Sequence, residues 1–278
     1  MSEIIKAIIF GIVEGITEWL PISSTGHMII LDEFIRLNCS EEFMEMFLVV
    51  IQLGAIFAVV LLFWDKIFPF QFRNKRKPVI ENDKMMLWGK IIVACIPAAV
   101  VGLLFDDIFE ALFYHAVPVA IALIVFGIAF IVIEREHAGK QPEIPYLEDI
   151  DFKTALLIGL FQLIAAIFPG TSRSGATIVG ALLVGVSRTA ASEFTFCLAI
   201  PVMFGASALK LFKFGLAFTP MQVFLLLLGM IVSFAVSVIA IKFLMKYIKN
   251  HDFKAFGYYR IVLGIVVFLF FGIQALFK

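Results

Sequence analysis

Gly11-Ile-Val-Glu-Gly-Ile-Thr-Glu-Trp-Leu-Pro-Ile-Ser-Ser-Thr-Gly-His27 runs apolar and helical up to Pro21, breaks there, and resumes through a row of hydroxyl residues. Gly159-Leu-Phe-Gln-Leu-Ile-Ala-Ala-Ile-Phe-Pro-Gly-Thr-Ser-Arg-Ser-Gly175 does the same in the second half of the chain. Laid over each other without a gap, the two match Gly11 to Gly159, Glu14 to Gln162, Pro21 to Pro169 and Ser24 to Ser172. Two such breaks in one apolar chain point to a single polar site built between two half-repeats.

The rest of the chain is suited to lipid. Hydrophobic residues make up 62% and charged residues 16%, against roughly 45–50% and about 25% in soluble domains. Mean hydropathy is +1.04. A formal net charge of zero offers no global field for nucleic acid. Cys39, Cys95 and Cys197 stand singly, without the spacing of a zinc site or a disulfide framework. Lys6 ahead of an apolar run resembles a signal peptide, but Glu14 and Glu18 interrupt that run and no small-residue cleavage site follows. The N-terminus therefore reads as mature protein.

Stretches near 43–64, 85–105, 115–134, 191–213, 220–246 and 256–276 are long enough to span a bilayer, which takes about 20 residues. The pieces at 4–20 with 23–37, and at 152–168 with 174–186, are individually short and joined at the proline breaks. Each pair predicts a re-entrant helix-loop-helix, tolerated at membrane depth where protein or a wet cavity surrounds the irregular backbone. The fold class expected is an all-α polytopic membrane protein, one hairpin plus three spans, twice. Three spans are an odd number, so the second unit enters inverted. The halves would be 1–134 and 152–278, with a linker at 135–151.

Lys66, Arg73, Lys75, Arg76, Lys77 and Lys84 place the linker after the first span in the cytoplasm, and Lys246, Lys249 and Lys254 do the same before the last span. Asp106, Asp107 and Glu110 read as an external loop. The mid-chain linker votes weakly, its Arg135 and Lys140 diluted by Glu134, Glu136, Glu143, Glu148 and Asp149. This count sets both termini and the first hairpin outside and brings the second hairpin in from the cytoplasm. The basic run Arg73 to Lys77 is read as a topogenic anchor rather than a headgroup or nucleic-acid site.

Glu14 and Glu18 leave one helix face a turn apart. Two like charges in a membrane call for a cation or strong donors, and a divalent ion such as Mg²⁺ is held through one or two carboxylates plus substrate phosphate oxygens. Ser23, Ser24 and Thr25 open the next helix as caps or donors, and His27 lies about a turn beyond Ser24, within reach as base, acid or phosphate donor. At the second break a helix N-terminus, Arg173, Ser172, Ser174 and Thr177 form an anion site; Arg173 could instead neutralise Glu14 or Glu18. Carboxylates, a hydroxyl and a histidine facing a guanidinium suit phosphoryl transfer. Ser24 with His27 as its base, His27 as direct nucleophile, and attack by metal-bound water all stay open.

Glu14 to His27 and Pro169-Gly-Thr-Ser-Arg-Ser-Gly-Ala-Thr177 resemble the two signature motifs of the undecaprenyl-pyrophosphate phosphatase family, also called bacitracin-resistance proteins, with Trp19 where Phe is more usual. The resemblance implies an integral hydrolase of the bacterial cytoplasmic (inner) membrane that removes the terminal phosphate of undecaprenyl pyrophosphate and recycles the lipid carrier for wall synthesis. It further implies Glu14 and Glu18 as the essential acidic pair, Ser24 and His27 as nucleophile and acid/base candidates, and Arg173 with Ser172 and Thr177 as the pyrophosphate clamp. A divalent cation (Mg²⁺ or Ca²⁺), a site opening to the outer face, and a homodimer belong to the same expectation. The competing reading is a transporter of a phosphorylated lipid or another anion, which needs the clamp but neither nucleophile nor metal.

Overall fold

The computed structural model describes residues 2–71, 79–215 and 217–276. Among these the regular structure is helical: α1 Glu3–Thr17, α2 Ser24–Phe34, α3 Glu41–Leu62, α4 Trp64–Ile67, α5 Asn82–Phe113, α6 Ala116–Glu136, α7 Phe152–Ile167, α8 Arg173–Leu183, α9 Arg188–Phe214, α10 Pro220–Tyr247 and α11 Lys254–Leu276. Six of them, α3, α5, α6, α9, α10 and α11, are long and apolar enough to cross a membrane. The protein is an all-α polytopic membrane protein. α2 and α8 have 11 residues each, about 16 Å at 1.5 Å per residue, roughly half of a 30 Å hydrocarbon core.

Burial sorts the spans. Half of the spanning stretches of α3 and α9 is inside the protein, against 22% of those of α5 and α11, so α3 and α9 are central and the other two present most of their apolar surface to lipid. Leu103 and Leu104 of α5 and Val262 of α11 are examples of such outward side chains. Helices approach closely where side chains vanish, as expected in lipid, where packing rather than the hydrophobic effect drives association. A Cβ on Gly127 of α6 would stand 2.7 Å from the carbonyl oxygen of Gly257 on α11, and a Cβ on Gly257 would stand 2.7 Å from that of Gly127. α1 packs on α10 through Gly11, against the Gly229 carbonyl, and α7 packs on α5 through Gly159, against the Ala94 carbonyl.

Two features read as loops belong to helices. α5 continues through 106–110 to Phe113, so Asp106, Asp107 and Glu110 lie on its last turns, which complete their backbone hydrogen bonds within the helix; the loop that follows is Tyr114 and His115. Glu134 is not a linker charge. It is buried at the end of α6, accepting from Arg188 and, at 3.0 Å, from the backbone N–H of Phe253. A buried and paired carboxylate contributes nothing to the charge bias of a loop. The basic run Arg73, Lys75, Arg76 and Lys77 falls outside the described residues.

Candidate active site

Both breaks use one backbone device. Ser23 and Ser172 are the non-glycine residues with positive φ among those described, at 75° and 68°, a region that costs a side chain energy and clusters at functional sites. Each serine accepts from the N–H three residues on, Ser23 from Gly26 at 3.3 Å and Ser172 from Gly175 at 3.2 Å, and so caps the short helix that follows. The equivalence of the turns is therefore Ser23 with Ser172. The gapless overlay, which paired Ser24 with Ser172, is out of register by one here, because the second turn carries one more residue between its proline and its cap (Gly170-Thr171 against Ile22). Corrected, Ser24 corresponds to Arg173, each the first residue of its helix.

These two residues meet at one carboxylate. The Ser24 hydroxyl donates to Glu18 Oε2 at 2.9 Å, and Arg173 Nη2 donates to Glu18 Oε1 at 3.0 Å. Arg173 Nη1 donates to the Thr195 carbonyl at 3.0 Å, and the Ser174 hydroxyl donates to the backbone carbonyl of Glu18 at 3.1 Å. The hairpin tips are thus cross-linked through Glu18. Glu14, one turn back, is 1% exposed, with Glu18 as its nearest like charge and Arg173 as a compensating one. Its Oε1 and the Nε of Arg173 are buried without a hydrogen-bond partner in the protein. An acceptor and a donor so placed fit a bound cation and a bound anion respectively.

The other residues singled out in the sequence divide by direction. Ser24 and Thr25 line a cavity of about 760 Å³ together with Glu14, Ile167 and Pro169; Asp32, Glu33, Arg36 and Glu45 form its charged margin. Thr177 is wholly buried, donating to the Arg173 carbonyl at 2.9 Å and accepting from Thr195 at 2.9 Å. It braces Arg173 from behind. Ser172 and Ser174 share a hydrogen bond of 3.1 Å. Trp19 forms a wall of the site, its ring centroid 5.9 Å from the Arg173 guanidinium carbon and edge-on to Phe196.

His27 does not face Ser24. Its Nδ1 is 2.7 Å from the Ser23 carbonyl and its Nε2 2.7 Å from the Tyr259 hydroxyl, with the two rings parallel within 8°. Both nitrogens are engaged, so the reach inferred from a spacing of three residues is spent elsewhere.

α11 also supplies Arg260, which is completely buried and, among the described residues, pairs with no carboxylate. It donates to the carbonyls of Pro21 at 3.3 Å, Gly170 at 3.0 Å, Thr171 at 2.7 Å and Leu123 at 3.4 Å. Three of these carbonyls belong to the two turns, so one guanidinium ties the tips together. The available signal was an arginine two turns inside a span, a position where a charge is costly enough to demand a role.

Among the described residues no group of three or more His, Cys, Asp or Glu side chains is arranged around a metal. Glu14 and Glu18 could hold one between them only with further oxygens from a ligand, the mode typical of Mg²⁺ beside phosphate.

Fold and site define a polytopic membrane protein with an acid, hydroxyl and guanidinium centre between two serine-capped proline turns. The chain belongs to the family described as Bacitracin resistance protein BacA, which matches residues 7–266. It is 65% identical to the undecaprenyl-diphosphatase of Desulfitobacterium hafniense over 99% of both chains. To undecaprenyl-diphosphatase 1 of Clostridium acetobutylicum it is 62% identical over 97% of both, and to the undecaprenyl-diphosphatase of Enterococcus faecalis 62% identical over 96% of both.

Proposed function

We infer that the protein is an integral membrane phosphatase that hydrolyses undecaprenyl pyrophosphate to undecaprenyl phosphate and inorganic phosphate. Identity above 60% over nearly the full length to proteins named for that activity supports the reaction, and six spans supply the lipid surroundings that a polyprenyl chain requires. The observation that carries the mechanism is the two-sided engagement of Glu18.

Ser24 is the nucleophile. Its Oγ attacks the terminal phosphorus, its proton passes to the Glu18 carboxylate it already touches, and the P–O bond to the lipid monophosphate breaks, the electron pair leaving with that oxygen. Water then hydrolyses the phosphoserine. Arg173 offers the planar fork suited to phosphate oxygens, and its Glu18 contact yields to the substrate. A divalent cation, held by Glu14 and Glu18, would neutralise phosphate charge. His27 has no free nitrogen for Ser24, so base catalysis falls to Glu18.

The inverted relation of the halves 1–134 and 152–278 is part of the same proposal, supported by the paired hairpins and by the matched packing of α1 on α10 and α7 on α5. Lys246, Lys249 and Lys254 favour a cytoplasmic position for the loop before α11 and hence a site facing the periplasmic side, with both termini outside. A homodimer is carried by the family resemblance alone.

Rapid quench during turnover, followed by acid, tests the route. An acid-stable phosphoserine that disappears in Ser24→Ala supports it. An acid-labile adduct lost in His27→Ala returns the nucleophile to His27, and the absence of any adduct favours direct attack by water.

A further inference from the structure

Tyr259 and His27 form a chain that ends on the strained turn. In a neutral imidazole one nitrogen donates and the other accepts. The Ser23 carbonyl can only accept, so Nδ1 of His27 carries the proton, and Nε2 accepts from the Tyr259 phenol. Tyr259 is anchored next to Arg260, whose guanidinium already grips the Pro21 carbonyl on the other side of the same turn. Ser23, the residue held, has φ of 75° and directly precedes Ser24. His27 is not among the residues that line the cavity, whereas Ser24 is.

We propose that His27 and Tyr259 are positioning residues, a strut from α11 that holds the Ser23 backbone in its left-handed conformation and so aims the Ser24 hydroxyl at Glu18. The proposal rests on the assignment of Ser24 as nucleophile. The histidine is then needed for its Nδ1 donor, and the tyrosine for keeping that tautomer and ring angle. Releasing the strut lets Ser23 relax toward negative φ, which rotates the next residue away from the carboxylate.

The amide nitrogen of asparagine occupies nearly the position of imidazole Nδ1 and is a donor, but it can be neither base nor nucleophile. His27→Asn should therefore retain kcat within about tenfold of the parent, while His27→Ala, which leaves the Ser23 carbonyl only the long backbone bond from the residue 27 N–H at 3.4 Å, should lose about a hundredfold. Tyr259→Phe keeps the stacked ring and removes only the hydroxyl. It should lower kcat by about fivefold to tenfold with KM unchanged, and in ¹⁵N-histidine-labelled protein it should move the His27 Nε2 resonance from the hydrogen-bonded to the free unprotonated position. That resonance is assigned by its loss in His27→Asn.

Equal inactivity of the Asn and Ala variants, with a phosphoserine still formed by the parent, would overturn the strut alone. A parent adduct on His27 would instead remove the nucleophile assignment beneath it. A protonated Nε2 in the parent, or a Tyr259→Phe variant with parental kcat, would also overturn the proposal.

Discussion

The two hairpin turns share a backbone and differ in what they carry. Each is a proline break, a serine at positive φ and a capped helix of 11 residues. The first presents Glu14, Glu18, Ser24 and His27; at matched places the second has Gln162 for Glu14 and Arg173 for Ser24. The same backbone device makes an irregular tip each time, and the side chains on it divide the charges, acid on one tip and base on the other. Because Ser24 and Arg173 hold the same structural position and both donate to Glu18, the site is a product of the joint and neither half could form it alone.

The heaviest blow to that joint is Glu18→Gln. The amide keeps the shape but loses the charge that Arg173 pairs with and, on the proposed route, the base for Ser24. General-base loss costs about 10²–10⁴-fold in rate, and loss of the charge that aligns Arg173 adds to it, so phosphate release should fall by about a thousandfold or more. A Gln variant within tenfold of the parent would detach Glu18 from the chemistry. Arg173→Lys comes next. Lysine keeps the charge but cannot serve Glu18, the Thr195 carbonyl and a phosphate from one planar group. A loss of about a hundredfold, or about 2.7 kcal/mol, is expected in steady-state assays, and near-parental turnover would show that charge alone suffices at the second tip.

How much of this contrast could be read without coordinates depends on the kind of signal. The six spans and the two short pairs follow from apolar length, which the bilayer enforces, and Pro21 and Pro169 mark the breaks because a proline cannot continue the hydrogen-bond ladder. The two turns were located, but their register was not: an extra residue in a turn leaves no trace in an overlay without gaps. Ser24, Thr25 and Glu14 do line the cavity, while Thr177 was read as facing a ligand and is turned inward. Hydroxyl direction is set by partners such as Thr195 that lie far along the chain. Tyr259 and Arg260 escaped because α11 was read by its hydropathy, and one polar pair within 23 residues does not disturb that average. Glu134 was misplaced for the complementary reason, since a charge at a helix end looks solvated until its partner Arg188 is known.

Glu14→Gln makes the first tip resemble the second, which already has Gln162 at the matched place. If Glu14 is half of a cation site, the neutral amide should raise the half-saturating Mg²⁺ or Ca²⁺ concentration by about tenfold or more while turnover at saturating metal drops less, because Glu18 remains a ligand. Titration of phosphate release against metal after chelator treatment measures both. An unchanged midpoint with depressed turnover would assign Glu14 a role other than metal binding and would leave the carboxylate pair without its cation.

The smallest effect tests the shared backbone itself. At Ser23 and Ser172 the serine contributes a cap worth about 0.5–2 kcal/mol and pays a strain of about 1–3 kcal/mol for its positive φ. Glycine is free of that strain and loses only a few tenths of a kcal/mol as a cap, whereas alanine keeps the strain and loses the cap. Ser172→Gly should therefore leave thermal stability unchanged or slightly raised, and Ser172→Ala should lower it by about 1 kcal/mol. The same pair of substitutions at Ser23 should shift stability by the same amounts, since the two caps have nearly equal φ and cap distances. Their activities should differ: loosening Ser23 frees the residue before Ser24, whereas Arg173 stays tied by Glu18 and Thr195 after Ser172 is loosened. Stability changes that match at the two serines while the activities separate would establish one turn used twice for two purposes, and stability changes that differ by more than about 1 kcal/mol would show that the turns are alike only in outline.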